Sequence, residues 1–351
     1  MRLAMISFTD NGSSLCARLT GLLTDRGWDC EGYGVKKYAG KYGLEEIDNP
    51  LSEWTGEMFE RKDALVFIGA SGIAVRAIAP WVRDKKRDPA VVVMDERGIF
   101  AISLLSGHLG GANELAGMLA NLTGAIPVIT TATDVNGRFA VDVFAKKNKL
   151  HISSMEYAKE VTADILDEKP VGLVCELPIA GKVPEELVQV SHTEPFEGEC
   201  GIVISLNEER SPFLKTLHLI PRCVTVGVGC RRGTPAEALE ESVLKALAAN
   251  HLSIYSVEQV ASIELKKDER AITELCGKFS LPLCTYTAQE LKDVPGDFES
   301  SAFVEQVTGV DNVCGRSAVL GSANGRLIQK KRAGGGVTVA IAIRDRSVDF
   351  G

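Results

Sequence analysis

One histidine stands apart from the rest of the 351-residue chain by its surroundings. His108 lies in Leu104-Leu105-Ser106-Gly107-His108-Leu109-Gly110-Gly111-Ala112-Asn113-Glu114, where glycines, a serine and an asparagine crowd an expected strand-to-helix junction. Imidazole is the side chain best suited to proton transfer near neutral pH, and glycines let a ligand approach the backbone. His108 is therefore the candidate acid/base, with Ser106, Gly107, Gly110, Gly111 and Asn113 around it. The segment Val128-Ile129-Thr130-Thr131-Ala132-Thr133-Asp134 ends an apolar run in threonines and an aspartate. Asp134 is expected to orient His108 or act as a base, with Thr130 and Thr131 beside it; an N-cap or Asx turn is the plainer alternative. His151, His192, His218 and His251 stand in ordinary contexts and read as surface or core.

Three further segments suit anions. In Phe67-Ile68-Gly69-Ala70-Ser71-Gly72-Ile73-Ala74-Val75-Arg76 a strand runs through a small-residue turn into a helix. Gly69, Ser71 and Gly72 place backbone N–H groups at a helix start, and Arg76 follows one turn on. A tight turn chosen for packing explains the same residues equally well. The segment carries neither a Walker A loop nor a full G-x-G-x-x-G. If all these segments end strands at one carboxyl edge of a parallel sheet, they face one crevice. In Gly227-Val228-Gly229-Cys230-Arg231-Arg232-Gly233-Thr234, Gly229, Arg231 and Arg232 meet an expected helix start, where arginine forks match carboxylates. Lys331, in Lys330-Lys331-Arg332 before Gly334-Gly335-Gly336, is a candidate anion clamp in an acidic chain. Cys230 has no histidine near it in sequence and is discounted as a nucleophile.

The elements that must position these residues read as α/β. Apolar runs at 3–8, 64–68, 90–94 and 127–131 alternate with helical patterns at 14–26, 73–78 and 111–122. Residues 10–13 read as a break after the first strand, and 90–94 with 100–105 as a hairpin. The C-terminal part opens with a strand at 224–228, a turn at 229–233 and a helix begun by a Thr234/Glu237 capping box. It continues with a strand at 260–265, a helix at 269–279, a strand at 283–286, and strands at 326–331 and 337–343 around the glycine turn. Between them, residues 146–222 show short apolar runs among Pro- and Glu-rich segments. The expected fold is thus two principal α/β domains with mostly parallel sheets, 1–145 and 223–351, plus a small middle region at 146–222.

Composition narrows the function. Hydrophobic residues make up 45% and the net charge is -8, which supports packed cores and disfavours nucleic acid or an anionic membrane as the main partner. No leader or membrane-length apolar stretch is legible, so a cytoplasmic protein is expected. Nine scattered cysteines without a CxxC pair read as reduced thiols, with no protein metal site.

Taken together, GASGIAVRAIAP, SLLSGHLGGANELA, PVITTATD, VGVGCRRGTPAE and KKRAGGGVTVAIA resemble, in order, the signatures of the cobalt-precorrin-5A hydrolase family (CbiG). The part after about residue 224 is also similar to CobE, a smaller protein of the aerobic cobalamin route. The middle region adds little to the match. The resemblance implies an enzyme of anaerobic cobalamin biosynthesis whose substrate is a ring-contracted cobalt-corrinoid. A δ-lactone on the ring A acetate is opened and acetaldehyde released, giving cobalt-precorrin-5B. It implies no protein cofactor, since cobalt arrives in the substrate, and allows transient contact with neighbouring pathway enzymes. The substrate's many carboxylates fit Arg76, Arg231, Arg232 and Lys331. Oxyanion donors are expected from 107–111 or from Ser71 and Gly72. A non-catalytic corrinoid carrier would use the same arginines without the histidine; a nucleotide-binding protein lacks its fingerprints here.

Overall fold

The computed structural model describes residues 1–84, 87–108, 110–191 and 196–351; His192 lies outside them. The chain divides into two compact units, Met1–Val143 and Phe144–Gly351.

The first unit is a seven-stranded sheet between helices. In chain order it runs β1 (Arg2–Ser7), α1 (Asp10–Thr24), β2 (Asp29–Gly34), α2 (Lys36–Tyr42), β3 (Glu45–Glu46), α3 (Leu51–Arg61), β4 (Ala64–Ile68) and α4 (Ser71–Ile78). There follow β5 (Ala90–Met94), β6 (Phe100–Leu105), α5 (Ala112–Thr123), β7 (Ile126–Val128), α6 (Ala132–Val135) and the start of α7 (Val141–Lys147). The strand order is β3-β2-β1-β4-β5-β6-β7. Every residue of β4 and β5 is buried. Strands covered on both faces must be apolar throughout, which is why these two were readable as runs rather than alternations. One face packs Leu15, Leu19 and Leu23 of α1 and Leu115 and Leu119 of α5. The other packs Trp54 and Met58 of α3 and Ala74, Ala77 and Ile78 of α4.

Two details of this unit differ from the sequence reading. Residues 10–13 do not break the chain but form the first turn of α1, because Thr9 caps it by accepting from Gly12 N–H at 3.1 Å. The strand at 127–131 shortens to Ile126–Val128, and the threonines lie beyond it. The expected hairpin is present: β5 and β6 pair antiparallel, and β7 then runs parallel to β6.

The second unit holds two five-stranded sheets. The first orders Leu187–Gln189, Val171–Cys175, Cys200–Ile204, Lys215–Pro221 and Leu150–Ile152, parallel except for the last pair. The helix Met155–Leu166 covers it, burying Val161 and Ile165. The second sheet orders Leu283–Tyr286, Val257–Ile263, Val224–Cys230, Val337–Ile343 and Arg326–Gly334. Its first three strands are parallel and the last two pair antiparallel. The strand from Val224 continues through Gly229 to Cys230 instead of turning at 229. The capping box is absent: Pro235 stands at the N-cap of the helix Ala236–Ala248 without a side-chain bond. Thr234 Oγ1 donates instead to the Arg231 carbonyl at 2.8 Å, so its hydroxyl closes the preceding turn.

Candidate active site

Leu105 ends β6, and Ser106 takes the left-handed conformation at φ 56°. Its hydroxyl donates to the Asp88 carbonyl at 3.1 Å, which ties the turn to the entry of β5. The chain then reverses into α5: Ala112 N–H donates to Ser106 O at 3.1 Å and Asn113 N–H to Gly107 O at 3.0 Å. The reversal is too tight for side chains. A Cβ on Gly107 would lie 2.7 Å from Asn113 Oδ1, and one on Gly110 2.3 Å from Ser106 Cβ. Gly111 N–H donates to His108 O at 3.0 Å and is therefore already used, which removes it from the expected oxyanion donors.

This turn presents His108, whose side chain is 13% exposed, between two carboxylates. Nε2 hydrogen-bonds Asp134 Oδ2, with Thr133 Oγ1 3.2 Å from the same nitrogen. Nδ1 faces Asp142 Oδ1 at 3.3 Å. Asn113 Nδ2 donates to Asp134 Oδ2 at 2.9 Å and to Thr131 Oγ1 at 3.0 Å, so α5 holds the start of α6. Asn113 Oδ1 is buried without a partner among the described residues. Thr130 is exposed and adds no hydrogen bond among the described residues.

The electrostatics follow from this clamp. The close contact with Asp142 raises the His108 pKa most; burial opposes it, Asp134 adds to it, and the result is about 9. At neutral pH the ring is an imidazolium, its Nε2 hydrogen-bonded to Asp134 and its Nδ1 in an ion pair with Asp142. Burial pushes the Asp142 carboxyl up, but the hydrogen bond and charge of His108 outweigh it and hold it below the ordinary range. Asp142 is the site residue the sequence reading missed. An acid in the first turn of a helix reads as a complement to the helix dipole. Asp134 is the more open carboxylate, 37% exposed against 19% for Asp142. Its hydrogen bonds all arrive at Oδ2, and Oδ1 has no partner among the described residues.

The expectation that Gly69, Ser71, Gly72 and Arg76 share this crevice is corrected. Because β6 is antiparallel to β5, Leu105 pairs with Val91 near the start of β5. Gly69 N–H instead donates to Met94 O at the far end of β5, at 2.8 Å. The two turns thus open at opposite edges of the sheet, about 10 Å or more apart along the strands. Ser71 and Gly72 cannot serve as oxyanion donors for His108. Arg76 folds back, its Nη1 donating to Gly72 O at 3.0 Å. A cavity of about 280 Å³ lies on the His108 edge instead, lined by Phe59, Trp81, Arg83, Arg87 and Asp88 among others. Asp88 is the residue whose carbonyl receives Ser106.

Three family profiles cover most of the chain. Cobalamin synthesis G N-terminal matches residues 53–134, the cobalamin biosynthesis central region 139–221, and cobalamin synthesis G C-terminus 224–342. The cobalt-precorrin-5A hydrolase of Salmonella typhimurium is 35% identical over 97% of this chain and 97% of its own. The chain belongs to the cobalamin synthesis G family. The cobalt-precorrin-5A hydrolase of Priestia megaterium is 34% identical over 82% of this chain and 80% of its own. Among solved structures, CobE, a protein from the cobalamin biosynthetic pathway, is 29% identical over 35% of this chain and 92% of its own, with a TM-score of 0.33.

The C-terminus of this family member carries the second set of candidates. Arg231 N–H donates to Gly336 O at 3.0 Å, and Gly233 N–H to Glu269 Oε1 at 3.0 Å. These bonds fix the loop backbone while the Arg231 and Arg232 side chains stay exposed, four to five residues before the helix begins at Ala236 rather than at its start. Neither guanidinium has a hydrogen bond or ion pair among the described residues. Gly229 pairs with Thr338 on the neighbouring strand. Lys331 is half-buried, and its charge acts on the buried Cys314 thiol, whereas Lys330 is paired with Asp297 at 2.8 Å. No helix among the described residues is long and apolar enough to cross a membrane.

Proposed function

We propose that this chain is a cobalt-precorrin-5A hydrolase, opening the ring A acetate δ-lactone of its cobalt-corrinoid substrate and releasing acetaldehyde to give cobalt-precorrin-5B. The observation that carries this reading is the 35% identity over 97% of both chains with the enzyme of that name. Lactone opening needs an activated water and a partner for the oxyanion that develops. The His108, Asp134 and Asp142 cluster supplies a carboxylate to take a proton from water and a positive charge beside it. Ser106, Gly107, Gly110, Asn113, Thr130 and Thr131 surround that cluster. The free guanidiniums of Arg231 and Arg232, with Lys331, take peripheral carboxylates of the corrinoid. Cobalt belongs to the substrate and the protein brings no cofactor of its own. The reaction runs in the cytoplasm, in keeping with nine unbridged cysteines.

Purified protein incubated with cobalt-precorrin-5A alone should release acetaldehyde, measured by trapping as its hydrazone. Binding of the corrinoid without acetaldehyde would replace the hydrolase by a carrier.

A further inference from the structure

His108 was expected as the acid/base, with Asp134 either orienting it or acting as a base, and the geometry favours the second role for Asp134. A ring held by a carboxylate at each nitrogen has no lone pair left to take a proton from water. Asp134 has one: Oδ2 is bound by His108 and Asn113, Oδ1 by none of the described residues, and it is the more exposed carboxylate. Asp142 lies on the opposite side of the ring, less exposed, and also accepts from Val143 N–H at 3.0 Å.

We propose that Asp142 is a positioning residue that holds the His108 ring through Nδ1, so that Nε2 donates to Asp134 Oδ2 and Asp134 Oδ1 is the base that deprotonates water. This rests on the hydrolase reading above. The step balances as follows. A water proton passes to Oδ1, and the oxygen's electron pair bonds to the lactone carbonyl carbon. The tetrahedral oxyanion re-forms the carbonyl as the ring C–O bond breaks. The departing alkoxide takes the proton back from Oδ1, leaving Asp134 ready for a second turn. His108 keeps its proton throughout and offsets charge at Asp134. Asp134 from α6 and Asp142 from α7 are the charged groups that act on the ring, and both favour its protonated form.

The two assignments give opposite pH responses. With Asp134 as base, turnover falls as the His108 ring loses its proton on the alkaline side. With His108 as base, turnover rises there. Asp142→Asn removes the main support of the charged ring, so the ring should lose its proton at lower pH.

The test uses the full-length parent, Asp142→Asn and Asp142→Glu. The His108 ring is titrated by NMR with labelled histidine, and acetaldehyde release is followed between pH 6 and 10. We expect the Asp142→Asn ring to titrate below the parent's, the alkaline fall in kcat to move with it, kcat at pH 8 to drop about tenfold or more, and KM to stay near the parent's. Asp142→Glu should restore part of both shifts. A ring titration unchanged in Asp142→Asn, or a kcat at pH 8 that rises, overturns the proposal. The NMR titration needs no substrate, so a protein that releases no acetaldehyde would sink the hydrolase reading while the Asp142–His108 linkage is still judged.

Discussion

Two glycine-rich turns in the first unit look alike on paper and differ in what they hold. The turn at Gly69–Gly72 leads from a buried strand into α4, and its Arg76 bonds its own helix. The turn at Ser106–Gly111 gathers an imidazole, two carboxylates and an amide into one cluster of hydrogen bonds and an ion pair. Small residues at a strand-to-helix junction are needed in both for backbone reasons. Chemistry appears only where a second segment, here 131–142, folds back over the turn with acids of its own. The comparison also sorts the site by edge, because the reversal at β6 sends the second turn to the opposite end of the sheet.

The predictions probe that contrast. His108→Ala should lower kcat by about 10²–10³-fold, as for the loss of one preorganised charge, with KM near the parent's, read by steady-state acetaldehyde release. Normal turnover would reduce the Ser106–Gly111 turn to the same packing role as its counterpart. Replacing Arg231 and Arg232 together by alanine should act on binding. Each lost charge-assisted hydrogen bond costs about 1.5–3 kcal/mol, so KM should rise more than about tenfold while kcat is kept. Lysines at both positions should recover only part, because the planar fork is lost.

A smaller effect is expected on stability. The folded His108 pKa, about 9, lies above its ordinary 6.5. A raised value means that the ring stabilises the fold fully below about 6.5, and that this contribution is lost as pH rises through about 9. Thermal melts between those limits should show the loss, and His108→Gln should flatten it. A parent whose melting temperature is no more pH-dependent there than the variant's would refute the double clamp. Smallest of all, Arg76→Ala should change kcat by less than about threefold, as expected for an exposed residue outside the cluster. A loss matching that of His108→Ala would mean the two edges are not separate in function.

Much of the fold was legible because the central strands are buried on both faces. Residues 64–68 and 90–94 were read to their ends, as were 283–286 and 337–343. By contrast β2, Asp-Cys-Glu-Gly-Tyr-Gly, neither alternates nor runs apolar, and its place beside β1 comes from the sheet rather than from its own residues. In the middle stretch, strands such as Leu187–Gln189 have three residues, too few to show a period. The site was legible in its turn and not in its topology. The 90–105 hairpin was expected, yet its consequence was not: an antiparallel strand carries its own C-terminal end to the other edge. His108 and Asp134, which the structure brings together, were singled out because glycines and threonines frame them. Asp142 was not, because in Val-Asp-Val-Phe-Ala-Lys-Lys nothing distinguishes it from any acid at a helix start.

The central claim is that the open carboxylate of the cluster does the work on water. Asp134→Asn tests it most directly: the amide keeps the shape and can still accept from His108, but it has no basic oxygen. With the variant shown to be folded and saturated with cobalt-precorrin-5A, single-turnover acetaldehyde release should be slower than the parent's by about 10²–10⁴-fold at every pH from 6 to 9. Release within a fewfold of the parent's would contradict the account.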